Sequence, residues 1–215
     1  MRRKAQLLAE PTGARAGRAG SGRALRLLIA GDSAAAGVGV DRQDLALSGQ
    51  LVSRLAQAFT VDWQLEATTG HTTRDTLARL ENLPGPFDVV VTSLGVNDTT
   101  RATSARQFAA RQAALMELLT EQLAARLVVV TSVPDMALFP ALPQPLSWVL
   151  GQQSQRLDRS MAAILTRYPQ AVHHRPQIPL DPAMAARDGY HPSALAYAHW
   201  AEGLARVIAA QARRI

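Results

Sequence analysis

The stretch Phe87 to Leu94 restricts the possible folds more than any other part of this chain. Val89, Val90 and Val91 are consecutive, β-branched and free of polar alternation. A strand of that kind has both faces covered, as inner strands of a parallel sheet do. Further apolar runs occur at Leu27–Ala30, Val61–Ala67, Leu127–Thr131 and near Ala171–His173. Helical periods lie between them. One runs from about Ala46 to Phe59, with Leu47, Leu51, Leu55 and Ala58 on one face. A short one passes through Leu77 and Leu80 behind a Thr72 or Thr73 cap. Longer ones run from Ser104 to about Ala125, from Ser147 to Tyr168, and from Ser193 to about Arg213. This alternation predicts an α/β/α three-layer sandwich around a largely parallel, about five-stranded sheet, flavodoxin-like in outline.

The length suits one domain, residues 26–215, behind a flexible basic tail of residues 1–25. The net charge is confined to residues 1–26. Arg2, Arg3, Lys4, Arg15, Arg18, Arg23 and Arg26 against Glu10 account for the whole formal charge of +6, and the rest of the chain is neutral. With no basic stripe interleaved with aromatics, no nucleic-acid partner is expected. The tail could make a weak contact with an anionic membrane surface, at ~1 kcal/mol per basic residue, although a solvated leader is the plainer reading. No secretory apolar stretch follows the first charges, which predicts a cytoplasmic chain. There is no cysteine, so disulfides, thiolate metal sites and cysteine nucleophiles are excluded.

Chemistry concentrates at the strand ends. Leu27–Ala30 runs into Gly31, which delivers Asp32 and Ser33 to a turn before Ala34–Ala36 and Gly37. Ligands of open α/β sheets gather at that edge, where a helix N-terminus offers free N–H groups. A serine hydroxyl becomes a useful nucleophile only when a base takes its proton. Of His71, His173, His174, His191 and His199, only His191 has a carboxylate suitably near in sequence, Asp188. His173 and His174 leave a strand with no acid close by in sequence. Asp32 and Asp98 read as turn-shaping residues. No spacing matches a metal site or a P-loop, so neither metal nor cofactor is expected.

Four blocks in order, Gly31-Asp32-Ser33, Gly70 after Ala67-Thr68-Thr69, Gly95-Val96-Asn97-Asp98, and Asp188-Gly189-Tyr190-His191-Pro192, resemble the SGNH hydrolases, also called GDSL-type esterases and lipases. The resemblance spans residues 26–212. It implies a serine esterase with a small-molecule ester substrate, with Ser33, Asp188 and His191 catalytic. It further implies that the oxyanion is held by the backbone N–H groups of Ser33 and Gly70 and the side-chain amide of Asn97. Here three alanines and Gly37 follow the serine where the family has a leucine, which suggests a small-residue wall beside the nucleophile. Pro134–Pro145 is irregular and apolar, fit to pack on the body or line a cleft. Val96, Met136 and Phe139 are therefore expected to contact substrate, favouring a small acyl or aryl ester. The alternatives are a carbohydrate acetylesterase, a lysophospholipase or thioesterase, a non-catalytic binding domain, and a nucleotide binder on a similar sheet.

Overall fold

The computed structural model describes residues 8–211. Its strands are β1 (Ala16–Ala19), β2 (Arg23–Gly31), β3 (Phe59–Ala67), β4 (Val89–Ser93), β5 (Leu127–Thr131) and β6 (Ala171–His174). Its α-helices are α1 (Ser33–Ala36), α2 (Leu47–Leu55), α3 (Thr73–Leu80), α4 (Val96–Thr100), α5 (Ala105–Glu117), α6 (Leu146–Leu165) and α7 (Ala194–Gln211). The strands form one sheet in the order β1-β3-β2-β4-β5-β6, in which β2 to β6 pair in parallel and β1 is antiparallel to β3.

The inner strands bury both faces because their residues alternate between two cores. Leu27, Ile29, Val89, Val91, Leu127 and Val129 pack with Leu47, Leu51 and Leu55 of α2 and Trp200, Leu204 and Ile208 of α7. Leu28, Val90, Val128 and Val130 face the other way, onto Leu80 of α3, Phe108 and Leu115 of α5, and Leu157 and Met161 of α6. Some helices start at a capping side chain. Thr72 and Asp75 form a reciprocal capping box on α3, and the Ser104 hydroxyl accepts from the Gln107 N–H at 3.2 Å on α5.

One expectation fails at the N-terminus. The segment from Glu10 to Ala19, placed in a flexible tail, is held against the sheet. Ala16 to Ala19 pair with Gln64 to Val61, which adds a sixth, edge strand. The sequence Ala-Gly-Arg-Ala has neither alternation nor β-branched residues, so the pairing comes from the neighbouring strand and not from local preference. Arg2, Arg3 and Lys4, on which a lipid contact would mainly rest, lie outside the described residues. No helix among the described residues is long and apolar enough to cross a membrane.

Candidate active site

Four blocks far apart in sequence meet at the carboxyl edge of the sheet. Gly31 ends β2 beside β4, where a Cβ would lie 2.2 Å from the Ser93 carbonyl oxygen, so only glycine lets the strands close there. The chain then turns. Asp32 caps the single turn of α1 by accepting the Ala34 N–H at 3.1 Å, which leaves Ser33 as the first helical residue. Thr68 N–H donates to the Gly31 carbonyl at 3.2 Å and links the first block to the second. Asn97 Nδ2 donates to the His71 carbonyl at 3.0 Å, and Arg101 Nη2 to the Gly70 carbonyl at 3.0 Å, which joins α4 to the same turn.

The histidine arrives from the loop before α7. His191 Nε2 lies 2.9 Å from Ser33 Oγ, and His191 Nδ1 lies 2.6 Å from Asp188 Oδ2. The other Asp188 oxygen accepts the Tyr190 and His191 N–H groups at 2.9 and 3.0 Å. Burial works against ionising Asp188, but the hydrogen bonds from the His191 ring and from both N–H groups outweigh it and hold the carboxyl below its ordinary value. An ionised Asp188 accepts a hydrogen bond from His191 Nδ1–H, which fixes the proton on that nitrogen and leaves Nε2 to accept from the serine. The loop itself is pinned. Ala186 N–H donates to the His191 carbonyl at 2.8 Å and Ser193 N–H to the Met184 carbonyl at 2.9 Å. Gly39 lets the loop after α1 approach it, since a Cβ there would lie 2.2 Å from the Pro192 carbonyl oxygen at a φ of +115°.

The donors expected for an oxyanion are available. Among the described residues neither the Ser33 nor the Gly70 backbone N–H has an acceptor. Asn97 uses one of its two amide hydrogens on His71, and the second remains. Asp98 is structural, as expected: wholly buried, it accepts the Thr73 N–H and hydroxyl, each at 2.9 Å, and ties α4 to α3. Asp32 differs from Asp188. Its burial, together with the charge of Asp98, pushes the carboxyl up to about 7 despite the N–H groups it accepts.

A cleft of about 960 Å³ opens beside Ser33 and His191. Val96 and Phe139 line it, and Gly70 and Asn97 lie outside its wall. Met136 does not line it. The 3₁₀ turn Met136–Leu138, capped by Asp135, directs Met136 inward, where it is fully buried and its N–H donates to Ser154 Oγ, and leaves Leu138 on the cleft. Sequence reasoning missed Ile178, Leu180, Met184 and Tyr190, all in the cleft wall. Tyr190 packs edge-on against Phe139 at 5.0 Å and against His191 at 5.3 Å. The signal was the apolar Ile178-Pro179-Leu180 in a segment with no strand or helix period. His173 and His174 sit apart from Ser33 on β6, with His173 Nε2 on Asp158 Oδ1 at 2.9 Å. Among the described residues no three acidic or histidine side chains gather as a metal site.

The model of the GDSL-like Lipase/Acylhydrolase family matches residues 29–199. The chain is 30% identical over 186 residues to the GDSL-like esterase Rv1075c of Mycobacterium tuberculosis (strain ATCC 25618 / H37Rv). That match covers 81% of this chain but only 58% of the mycobacterial protein. Among solved structures, TesA superposes with a TM-score of 0.68 at 22% identity, covering 85% of this chain and 97% of TesA. The psychrotrophic esterase EstA from Pseudoalteromonas sp. does so with a TM-score of 0.65 at 18% identity, covering 87% and 98%. At such identities the two structures speak for the fold alone. The family model leaves out β1, the first part of β2 and the end of α7 but contains the serine, the aspartate and the histidine brought together here; the chain belongs to the GDSL-like lipase/acylhydrolase family.

Proposed function

We propose that the protein is a serine carboxylic ester hydrolase working through an acyl-enzyme. The observation that carries this reading is the continuous chain Ser33 Oγ, His191 Nε2, His191 Nδ1, Asp188 Oδ2, at 2.9 and 2.6 Å, at the mouth of an apolar cleft. Ser33 Oγ attacks the ester carbonyl carbon while its proton passes to His191 Nε2. The carbonyl oxygen becomes an oxyanion, which meets the N–H groups of Ser33 and Gly70 and the Asn97 amide. When the C–O bond to the leaving group breaks, His191 returns the proton to the departing alkoxide and the acyl group stays on Ser33. Water, deprotonated by the same nitrogen, attacks the acyl carbon. Its oxygen leaves in the carboxylic acid, and Ser33 Oγ recovers the proton.

The cleft refines the substrate. Leu138, Phe139, Ile178, Leu180 and Met184 give the wall an apolar stretch beside the charged Asp135, Arg159, Arg175 and Asp181, and about 960 Å³ is far more space than an acetyl group fills. We therefore assign a hydrophobic acyl or aryl ester, and extend the expectation of a small acyl group to chains of medium length. The test is hydrolysis of p-nitrophenyl esters from acetate to decanoate by wild type and Ser33→Ala. Wild type should peak beyond acetate, and Ser33→Ala should fall by roughly 10⁴-fold or more. Retention of activity in Ser33→Ala would refute the assignment of the nucleophile.

A further inference from the structure

The segment Glu10–Arg15 bridges the two loops that supply the backbone N–H groups of the site. At one end Thr12 N–H donates to the Asp41 carbonyl at 3.1 Å, and the Gln43 N–H donates to the Thr12 carbonyl at 2.8 Å. Pro11 is buried, and its Cγ would lie 2.9 Å from a Cβ at Gly37. Gln43 Nε2 continues inward to the Ala36 carbonyl at 2.9 Å, so this end grips the chain as it leaves α1 and Ser33. At the other end Glu10 Oε1 accepts both the N–H and the hydroxyl of Thr69, at 2.7 and 2.8 Å. Glu10 Oε2 takes Arg15 Nη1 at 3.0 Å, and Arg15 Nη2 donates to the Ala67 carbonyl. Leu65 N–H donates to the Arg15 carbonyl at 2.7 Å.

The grip on Thr69 falls at a sensitive place. The N–H of Gly70 belongs to the peptide joining Thr69 to Gly70. Gly70 has a φ of +84°, with no atom within 4 Å of where its Cβ would be, so packing on a side chain cannot steady that peptide. It is instead held from both sides: Glu10 binds the Thr69 N–H before it, and Arg101 binds the Gly70 carbonyl after it. Burial of Glu10 opposes its ionisation, but the Thr69 hydrogen bonds and Arg15 outweigh this and keep it a carboxylate.

We propose that residues 10–15 are a strap that holds the Gly70 turn in register with Ser33, with Glu10 as a positioning residue for the oxyanion donors. The inference rests on the ester-hydrolase reading of the site. Preorganised donors lose their advantage when displaced by an ångström or so. The strap thus contributes to catalysis without touching substrate.

The experiment compares full-length wild type, Glu10→Ala, Glu10→Gln and Arg101→Ala on p-nitrophenyl butyrate, with melting temperatures measured in parallel. Glu10→Ala should lose roughly ten- to hundredfold in kcat, with KM within about twofold and the pH at half-maximal rate unmoved, since the base is untouched. Glu10→Gln should recover most of the loss, because its amide oxygen still accepts from Thr69. Arg101→Ala should repeat the kcat signature from the other side of the peptide. Wild-type kcat in Glu10→Ala would overturn the proposal. So would a loss confined to KM or melting temperature, or a Glu10→Gln variant no better than Glu10→Ala. An inert wild type would sink the hydrolase reading, and this inference with it, whereas an active, Ser33-dependent wild type with an indifferent Glu10 sinks the strap alone.

Discussion

Two histidine–aspartate pairs lie among the described residues, and their environments differ. His191 and Asp188 are joined at 2.6 Å, His173 and Asp158 at 2.9 Å. Both carboxyls are partly buried, and in both the burial is outweighed by the histidine and by backbone N–H groups, so that each is held below its ordinary value. The pairs part company at their outer contacts. Asp188 spends its remaining oxygen on the loop that presents His191, whose second nitrogen meets Ser33. Asp158 spends its oxygens on the Val133 N–H at 3.0 Å and on Arg175 at 3.2 Å, and no serine completes the row. A histidine–carboxylate pair is therefore as able to fasten a strand to a helix as to prepare a base. What separates the two uses is the atom on the far side of the ring.

The sharpest way to break this comparison is to neutralise each carboxylate in turn. Asp188→Asn should reduce kcat by roughly 10³-fold or more on any ester the wild type accepts, because an amide at that place favours the wrong imidazole tautomer. Next in size is Asn97→Ala, which should keep the fold and lower turnover about a hundredfold through loss of one oxyanion donor. Wild-type turnover in that variant would remove Asn97 from the role. Asp158→Asn should behave in the opposite sense to Asp188→Asn. It should cost about 1–3 kcal/mol of stability at neutral pH with little change in the pH dependence of kcat. Because the folded Asp158 has the lower pKa, its stabilisation is present above the unfolded value near 4 and is lost as pH falls through the folded one. Chemical denaturation of Asp158→Asn and wild type should therefore begin to converge as the pH falls below about 4.

Asp32 extends the contrast to an effect on stability alone. Buried without a cation and near Asp98, it titrates at about 7, so the folded chain binds the more protons between about 4 and 7. Stability from this group falls as pH rises through that window and levels off above it. Asp32→Asn, whose amide oxygen can still accept the Ala34 N–H, should match wild type near pH 4 and exceed it by up to about 4 kcal/mol at pH 8. Denaturation curves at both pH values would show it, and a variant less stable than wild type at pH 8 would contradict the account.

The same contrast explains what was legible in the sequence. Asp188 and His191 lie three residues apart in one loop, so their partnership could be read directly. Asp158 reaches His173 from α6 to β6, and no local pattern announces a contact across the two. The five parallel strands were legible because a doubly buried strand must be apolar throughout. The sixth was not, since β1 borrows its hydrogen bonds from β3 and carries no pattern of its own. Met136 and Leu138 are equally apolar, and only the geometry of one 3₁₀ turn sends the first into the body and the second to the cleft. The Ile178–Tyr190 loop contributes to the cleft wall through tertiary placement, to which periodicity is blind.

The central claim is that Ser33, and no other hydroxyl, is the nucleophile that His191 prepares. Its most direct test is to treat the full-length protein with a fluorophosphonate at neutral pH and locate the adduct by peptide mass spectrometry, with Asp188→Asn and Asp158→Asn alongside. A single adduct on Ser33, formed at wild-type rate in Asp158→Asn and far more slowly in Asp188→Asn, is the predicted result. No adduct, an adduct on another residue, or equal slowing in both variants would contradict the account.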